Sequence, residues 1–254
     1  MIYEDLKDKK VLITGASLGI GAAAAEMFSR QGSFVGVHYC NSKAPAEKVL
    51  AEVKKNSDGV LIQADVCNTD DIKAMVKQFA DTAGGIDVLV NNAGSMIERR
   101  TLEEATAELH DKVYATNVRS IVLISKEALP YLKTSKGNIV NIGSVGGHTG
   151  GGSTSEIYCA SKGAVATLTL GMAREFAQYQ IRVNNICPGL IETPFHEKFS
   201  TKEFVQAFAR KTLMGRNGTA KDIAKAILFM ASNDAAGFIT GEYIAINGGF
   251  YMRA

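Results

Sequence analysis

Tyr158 and Lys162 stand four residues apart in a stretch that reads as helix, which places both side chains on one face. An ammonium beside a phenol favours the phenolate and draws its pKa down from about 10. A tyrosine so placed can exchange a proton with an alcohol or a carbonyl near neutral pH, which is general acid–base chemistry. Ser144 lies upstream of the pair. Further upstream come the run Asn91-Asn92-Ala93-Gly94 and the turn Thr14-Gly15-Ala16-Ser17-Leu18-Gly19-Ile20-Gly21. The glycine turn indicates what moves the other way: a hydride, carried by a dinucleotide. A tyrosine–lysine pair by itself reads equally well as a solvated helix face, so the weight rests on the joint occurrence.

Gly15, Gly19 and Gly21 keep G-x-x-x-G-x-G spacing between a strand-like run and a helix-like pattern. Glycines let the backbone approach a pyrophosphate, and the helix N-terminus supplies amide donors and partial positive charge. The competing reading is a tight turn with close helix packing, but the position at the first strand–helix unit favours a dinucleotide. The end of the second strand should select the cofactor, since an acid there would hold the ribose 2′-hydroxyl and repel a 2′-phosphate. The chain has His38-Tyr39-Cys40-Asn41-Ser42 and no carboxylate until Glu47. Asn41 and Ser42 can donate to a phosphate, and His38 or Lys43 can add charge, so NADP is expected, with NAD as the alternative. Leu18 brings no cation into the turn, and Asn41 and Ser42 also read as caps for the next helix.

Short apolar runs at 11–13, 34–39, 60–62, 88–90, 138–142, 182–186 and 243–246 predict strands. Helical patterns cover 19 to about 31, 45–55 and 70–82. Strands alternating with helices predict an α/β, doubly wound Rossmann fold, a seven-stranded parallel sheet with helices on both faces. No Pro- or Ser-rich linker breaks the pattern, so residues 1–254 read as a single catalytic domain. Hydrophobic residues make up 46% and charged residues 21%, with a net charge of +2. That balance gives no electrostatic case for nucleic acid or for a membrane surface. No leader-like apolar segment opens the chain and no apolar run approaches a membrane span, so a cytoplasmic location is expected. Cys40, Cys67, Cys159 and Cys187 form no C-x-x-C pair and read as reduced, buried thiols. The four histidines lack ligand spacing, and no structural metal is expected.

Together the turn at 14–21, Asp65-Val66, Asn91-Asn92-Ala93-Gly94, Asn117, Ser144, Tyr158-x-x-x-Lys162 and Pro188-Gly189 resemble the classical short-chain dehydrogenases/reductases. The resemblance runs from Lys9 to the terminal Ile246-Asn247-Gly248-Gly249 and implies the following roles. Tyr158 is the acid/base, Lys162 perturbs it and bonds the nicotinamide ribose, and Ser144 holds the substrate oxygen. Asn117 supports a water linking Lys162 to solvent. In the turn, Gly15, Ser17, Leu18, Gly19, Ile20 and Gly21 meet the cofactor, with Tyr39, Asn41 and Ser42 after the second strand. Asp65 and Val66 meet the adenine, and Asn92, Ala93 and Gly94 the adenosine ribose side. Pro188 and Gly189 precede Ile191 and Thr193, which orient the nicotinamide carboxamide.

Substrate choice is expected in residues 95–100, in the glycine-rich loop 145–157, which reads as mobile, and in 193–213, which reads as a lid. Phe195, Phe199, Phe204 and Phe208 give that lid an apolar stripe, or else plain helix packing. Arg99 and Arg100 can face an anionic substrate or water. Reduction of 3-oxoacyl thioesters, and oxidation of sugars or polyols or broad carbonyl reduction, are both open. Leu129-Pro130-Tyr131-Leu132-Lys133 and Gln178-Tyr179-Gln180 are poor in the basic residues that would dock an acidic carrier protein. A non-catalytic dinucleotide-sensing scaffold would lack the tyrosine or lysine, and both are present. Helices at 117 to about 131 and 158–178 are more apolar than one sheet-facing stripe requires. With the apolar segment 241–254, they predict two two-fold interfaces and a homotetramer.

Overall fold

The computed structural model describes residues 3–252. Nine strands form: β1 (Lys10–Ile13), β2 (Phe34–Tyr39), β3 (Gly59–Gln63), β4 (Val88–Asn91), β5 (Asn138–Ile142), β6 (Arg182–Pro188), β7 (Ile191–Glu192), β8 (Gly218–Thr219) and β9 (Tyr243–Ile246). The first helices are α1 (Gly19–Ser29), α2 (Lys43–Val53), α3 (Thr69–Ala83), α4 (Ala107–Tyr114) and α5 (Ser120–Ser135). They are followed by α6 (Gly146–Thr149), α7 (Glu156–Phe176), α8 (Pro194–Phe199), α9 (Lys202–Ala209), α10 (Ala220–Ala231) and α11 (Asn233–Ala236).

Seven strands pair in parallel in the order β3-β2-β1-β4-β5-β6-β9, as the alternating pattern predicts, and β7 and β8 form a separate pair. Parallel strands need crossovers, and those helices bury both sheet faces in two apolar clusters. One cluster joins Val11, Ile13, Val35 and Val37 to α1 and α10; the other joins Leu12, Ile62, Leu89 and Ile139 to α3, α5 and α7. Alternate residues of β1 thus serve opposite cores, as the two-residue period of a strand requires. Strand order reverses between β1 and β4, and the ends of these two strands open the crevice where such sheets bind ligands.

A polar network crosses this core between β4 and β5. Asn91 and Asn141 are partners in register on β4 and β5, and Asn91 Nδ2 donates to Asn141 Oδ1 at 2.9 Å. Asn141 Nδ2 then donates to Thr169 Oγ1 at 2.9 Å, and Asn91 Nδ2 also reaches Ser125 Oγ at 3.2 Å. These directional bonds fix α5 and α7 on the sheet where apolar contact alone would permit sliding.

Several elements escape the sequence reading. The helix expected from residue 117 begins at Ala107 as α4, passes through a π-helical turn at Ala115–Arg119 and continues as α5. The segment after β8 forms α10, whose start is written in the Thr219–Asp222 capping box and in Ile223, Ala224, Ile227 and Leu228 at helical spacing. The loop expected to be mobile is packed at its start: a Cβ on Gly146 would lie 2.8 Å from Cys159 Sγ, and one on Gly147 would lie 2.7 Å from the Gly163 amide. There the glycines serve close helix approach. The cysteines are all free, but only Cys159 and Cys187 are buried, with Cys40 and Cys67 partly exposed. No helix among the described residues is long and apolar enough to cross a membrane.

Candidate active site

The glycine turn is locked to the β4 end by side chains. Thr14 Oγ1 accepts from the Asn92 and Ala93 amides, both at 3.0 Å, and Asn92 Nδ2 donates to the carbonyls of Thr14 and Gly15 at 2.9 and 3.0 Å. Gly15 and Gly19 adopt φ of +63° and +57°, a left-handed conformation that suits glycine. Asn92, expected beside the cofactor, therefore commits its side-chain amide to the shape of the turn.

His38 has a role that sequence reasoning misplaced. Its ring is 2% exposed, and Nδ1 accepts the Gly15 amide at 2.9 Å. An amide can only donate, so the proton sits on Nε2, which donates to the Ala64 carbonyl at 3.1 Å. Burial holds its pKa below the ordinary histidine value. This neutral imidazole braces the turn from beneath and supplies no charge to a phosphate. Tyr39 is also turned inward, 5% exposed, with its hydroxyl 3.5 Å from Gln63 Oε1. Asn41 and Ser42 are the first polar side chains beyond it, and Ser42 makes no side-chain cap to α2.

The residues present fit a dinucleotide. No side chain caps α1, whose N-cap is Leu18, so the positive end of the helix faces the crevice. A Cβ on Gly19 would touch Thr193 at 3.4 Å, which puts the lid start directly across from that helix end. At the far end a cleft of about 380 Å³ is lined by Cys40, Asn41, Gln63 and Asp65 on one side and Asp71, Met75 and Gln78 on the other. Asp65 makes its local fold: Oδ1 accepts the Cys67 amide at 2.8 Å, while Val66 is buried at its side. Ser17 lies in the turn and Ile20 in the first turn of α1, Ala93 packs against Gly15, and Gly189 packs on Asn247 with room for no Cβ. Ile191 is buried and its carbonyl accepts from Thr193 Oγ1 at 3.2 Å.

Ser144, Tyr158 and Lys162 converge at the C-terminal ends of β4 to β6. Ser144 follows β5 and hydrogen-bonds the Tyr158 hydroxyl, while Ser144 Oγ accepts the Gly146 amide at 3.1 Å. Lys162, 4% exposed, donates from Nζ to the Ile142 carbonyl at 2.8 Å. Its Nζ lies 5.8 Å from the centre of the Tyr158 ring. The expected lowering of the tyrosine pKa is not what this arrangement produces: burial drives the phenol well above its ordinary value, and only Ser144 among the named contacts opposes that shift. The ammonium is spent on a carbonyl instead of on the phenol oxygen.

Asn117 sits on the π-helical turn, 0% exposed, with every side-chain atom occupied. Its Oδ1 accepts the Ser95 amide at 2.8 Å, and its Nδ2 donates to the Ser95 carbonyl at 2.9 Å and to Ser161 Oγ at 3.0 Å. The side chain therefore clamps the strand-four loop. Gly94 leaves space for it: a Cβ there would meet both Asn117 Oδ1 and Lys162 Nζ at 3.1 Å.

Burial lowers the Lys162 ammonium to about 8, from an ordinary value of 10.5. The folded protein therefore releases this proton before the unfolded chain does, so stability from this group rises with pH between about 8 and 10.5. Any step that needs the ammonium weakens over that same rise. The kcat/KM for carbonyl reduction is expected to fall as pH climbs through about 8, because kcat/KM reports the free enzyme. In Lys162→Arg, whose guanidinium stays charged, the break should leave that range; a wild-type profile flat to about pH 10 would contradict the assignment.

The segment expected to act as a lid folds as two short helices. Phe195 on α8 packs 5.7 Å from the Tyr158 ring and 4.9 Å from Phe199, while Phe208 on α9 packs 4.3 Å from Phe250. The phenylalanine stripe thus divides, one half over the tyrosine and the other on the C-terminal segment. Between the strand-four loop, α4 and the start of α7 runs a narrow cleft lined by Met96, Glu98, Arg100, Leu109, Val113, Thr154, Ile157 and Tyr158.

A family model described as enoyl-(acyl carrier protein) reductase matches residues 15–251. The 3-oxoacyl-acyl-carrier-protein reductase FabG of Staphylococcus aureus is 38% identical over 246 residues, 96% of this chain and 98% of that protein. The crystal structure of an NADH-dependent reductase, A1-R', responsible for alginate metabolism superposes with a TM-score of 0.91 at 32% identity, covering 99% of this chain and 100% of the other. A short-chain dehydrogenase from Burkholderia cenocepacia J2315 in complex with NADP reaches 0.91 at 30% identity, covering 97% and 99%.

Proposed function

The chain belongs to the classical short-chain dehydrogenase/reductase family, and we propose that it transfers hydride between NADP(H) and the carbonyl or secondary alcohol of a small molecule. The observation that carries this reading is the Ser144–Tyr158 hydrogen bond beside a glycine-rich crevice. When bound, the nicotinamide supplies or accepts the hydride at the carbon. Tyr158 delivers its hydroxyl proton to the carbonyl oxygen as the bond order falls, and Ser144 donates to that oxygen as charge develops. Lys162 supplies positive charge toward the nicotinamide ribose once drawn from the Ile142 carbonyl by the bound cofactor, and Phe195 excludes water above the tyrosine. In the reverse direction Tyr158 takes the proton of the alcohol.

NADP is favoured over NAD because Asn41 and Ser42 follow β2 with no carboxylate along the chain until Glu47, and against it stand Asp65 and Asp71 in the same cleft. NADPH is expected to bind at least roughly tenfold more tightly than NADH, about 1.4 kcal/mol. Calorimetric titration with each cofactor measures it, and equal affinities would reject the preference. Cofactor oxidation against ketones, sugars and acyl thioesters tests the activity itself. Failure with every carbonyl and both cofactors would overturn the reading. Reduction of 3-oxoacyl thioesters is the second reading, supported by the relatives bearing that name. Against a carrier-delivered substrate, Lys126 is paired with Glu127 at 3.6 Å and Lys133 lies over the Tyr179 ring at 3.8 Å.

Assembly as a homotetramer belongs to the same proposal. Much of the apolar surface attributed to a second helix face is core: Ile121, Ile124, Val165, Met172 and Phe176 are buried within the subunit. What remains is Val122 on α5 and Leu170 on α7, 42% and 45% exposed, with Phe238 fully exposed near the C-terminal strand. Phe250 and Tyr251 pack internally on Phe208 and His148, Met252 is exposed, and residues 253–254 of the expected contact lie outside the described residues. Sedimentation at micromolar concentration should give a tetramer; a monomer would remove both interfaces and a dimer one of them.

A further inference from the structure

Three segments that frame the substrate cleft meet at one side chain, Arg99. From the strand-four loop, its Nε donates to the Phe199 carbonyl at the end of α8, and its Nη1 donates to Thr154 Oγ1 at 3.3 Å. Thr154 lines the same cleft as Tyr158. Two of the five guanidinium donors are thereby committed to protein. Arg100 next to it is balanced by Glu98 at 2.7 Å. No carboxylate among the described residues lies within 4.0 Å of Arg99. Glu156 at the start of α7 acts on Cys159 without pairing Arg99.

A partly buried guanidinium held in place by neutral acceptors lacks a carboxylate to balance it. Its field reaches Cys159, next to Tyr158 on α7, and His196, next to Phe195 on α8. His196 does not compete for an anion: burial, then Arg99, hold it near 4, so the ring is neutral at physiological pH. It is occupied with Ser200 Oγ at 2.9 Å. The cleft therefore offers an apolar wall, Met96, Leu109 and Val113, the mutually balanced Glu98–Arg100 pair and a proton donor, Tyr158, while Arg99 stands at its edge through Thr154 as a planar cation without a carboxylate.

We infer that Arg99 binds the carboxylate of an oxo-acid substrate, whose carbonyl then lies against Tyr158 and Ser144. This rests on the reductase reading above and narrows it to carbonyl compounds carrying a single negative charge. One unbalanced guanidinium matches a monoanion, and its fork matches the two oxygens of a carboxylate. Closure is coupled to recognition, since the residue that meets the anion also holds the last carbonyl of α8.

The test uses short oxo acids with the carbonyl at increasing distance from the carboxylate, each beside its methyl ester, with NADPH and NADH. The best acid should exceed its ester in kcat/KM by at least about tenfold, as expected for a hydrogen bond between charged groups. Arg99→Gln should lower that acid-to-ester ratio by at least about tenfold through KM, and Arg99→Lys should restore part of it. A wild type that reduces ester and acid alike overturns the inference. So does an Arg99→Gln variant of unchanged melting temperature in which both substrates lose equally, since that marks a lid contact alone. Preference for a phosphorylated ketone over the acids would also overturn it. A wild type that reduces esters or neutral ketones only removes this inference and leaves the reductase reading intact. A wild type inactive on every carbonyl removes both.

Discussion

Tyr158→Phe is expected to lower carbonyl reduction by at least about a thousandfold, within the range that one positioned proton donor contributes. The substitution removes one oxygen and keeps the ring that packs 5.7 Å from Phe195. Ser144 loses a partner but still accepts the Gly146 amide at 3.1 Å, so that backbone donor stays paired. A lost hydroxyl of this kind costs stability of about 1 kcal/mol, far less than the rate effect requires. Rate and melting temperature together therefore separate chemistry from folding. Near-normal turnover in a folded Tyr158→Phe protein would sink the assignment of Tyr158 as acid/base.

The proton chemistry of this pair shows where residue spacing stops being informative. Two side chains four apart on a helix must share a face, and Tyr158 and Lys162 do so on α7. Spacing does not say what each charged end meets. Lys162 Nζ finds the Ile142 carbonyl, and burial outweighs any help it gives the phenol. The strongly raised phenol and the lowered ammonium are the two halves of one desolvation effect, acting in opposite directions on an acid and a base. Whatever brings the ammonium off its carbonyl and toward the phenol oxygen would move both values back.

The same limit explains the other corrections. The sheet was readable because its strands are short apolar runs between turns, a pattern that only burial on both faces produces. The catalytic and glycine motifs were readable because each places side chains or backbone through local geometry. His38 was misassigned, and the side-chain bonds of Asn92 went unseen, because their partners are remote: His38 reaches residues 23 and 26 positions away, and Asn92 reaches back 77 and 78. Long-range bonds of this sort leave no periodic trace. The helix through Asn117 was cut short because Thr101 to Thr106 is polar and α4 exposes nearly all but Val113. A helix with so little buried surface gives a weak apolar signal, although Thr106, which caps it, was a usable cue. Arg99 was visible as a charge but not as an unbalanced one, because the Glu98–Arg100 pairing that singles it out depends on the loop path.

Gly21→Ala is expected to weaken cofactor binding by at least about a hundredfold, a change of about 2.7 kcal/mol. The argument is steric and does not depend on backbone freedom, since the residue lies inside α1. A Cβ at this position would fall 2.4 Å from the Gly15 carbonyl oxygen, 2.6 Å from Asn92 Nδ2 and 2.9 Å from Ala16 Cα. Two of these atoms are backbone of the turn and the third is the amide that pins it, so none can step aside alone. Relieving the contact means lifting the turn off α1, which breaks the Asn92 bonds to Thr14 and Gly15 and drags Gly15 from His38. In an ordinary helix, replacing glycine by alanine stabilises by up to about 1 kcal/mol. Here that gain is opposed by the loss of several buried hydrogen bonds, each worth about 1 kcal/mol, so the melting temperature should fall as well. Calorimetric titration of NADPH against the purified variant, with a thermal melt in parallel, reads both effects. A variant that binds NADPH as the wild type does would show that the turn is not the phosphate cradle, and the cofactor would have to be sought elsewhere on the sheet edge.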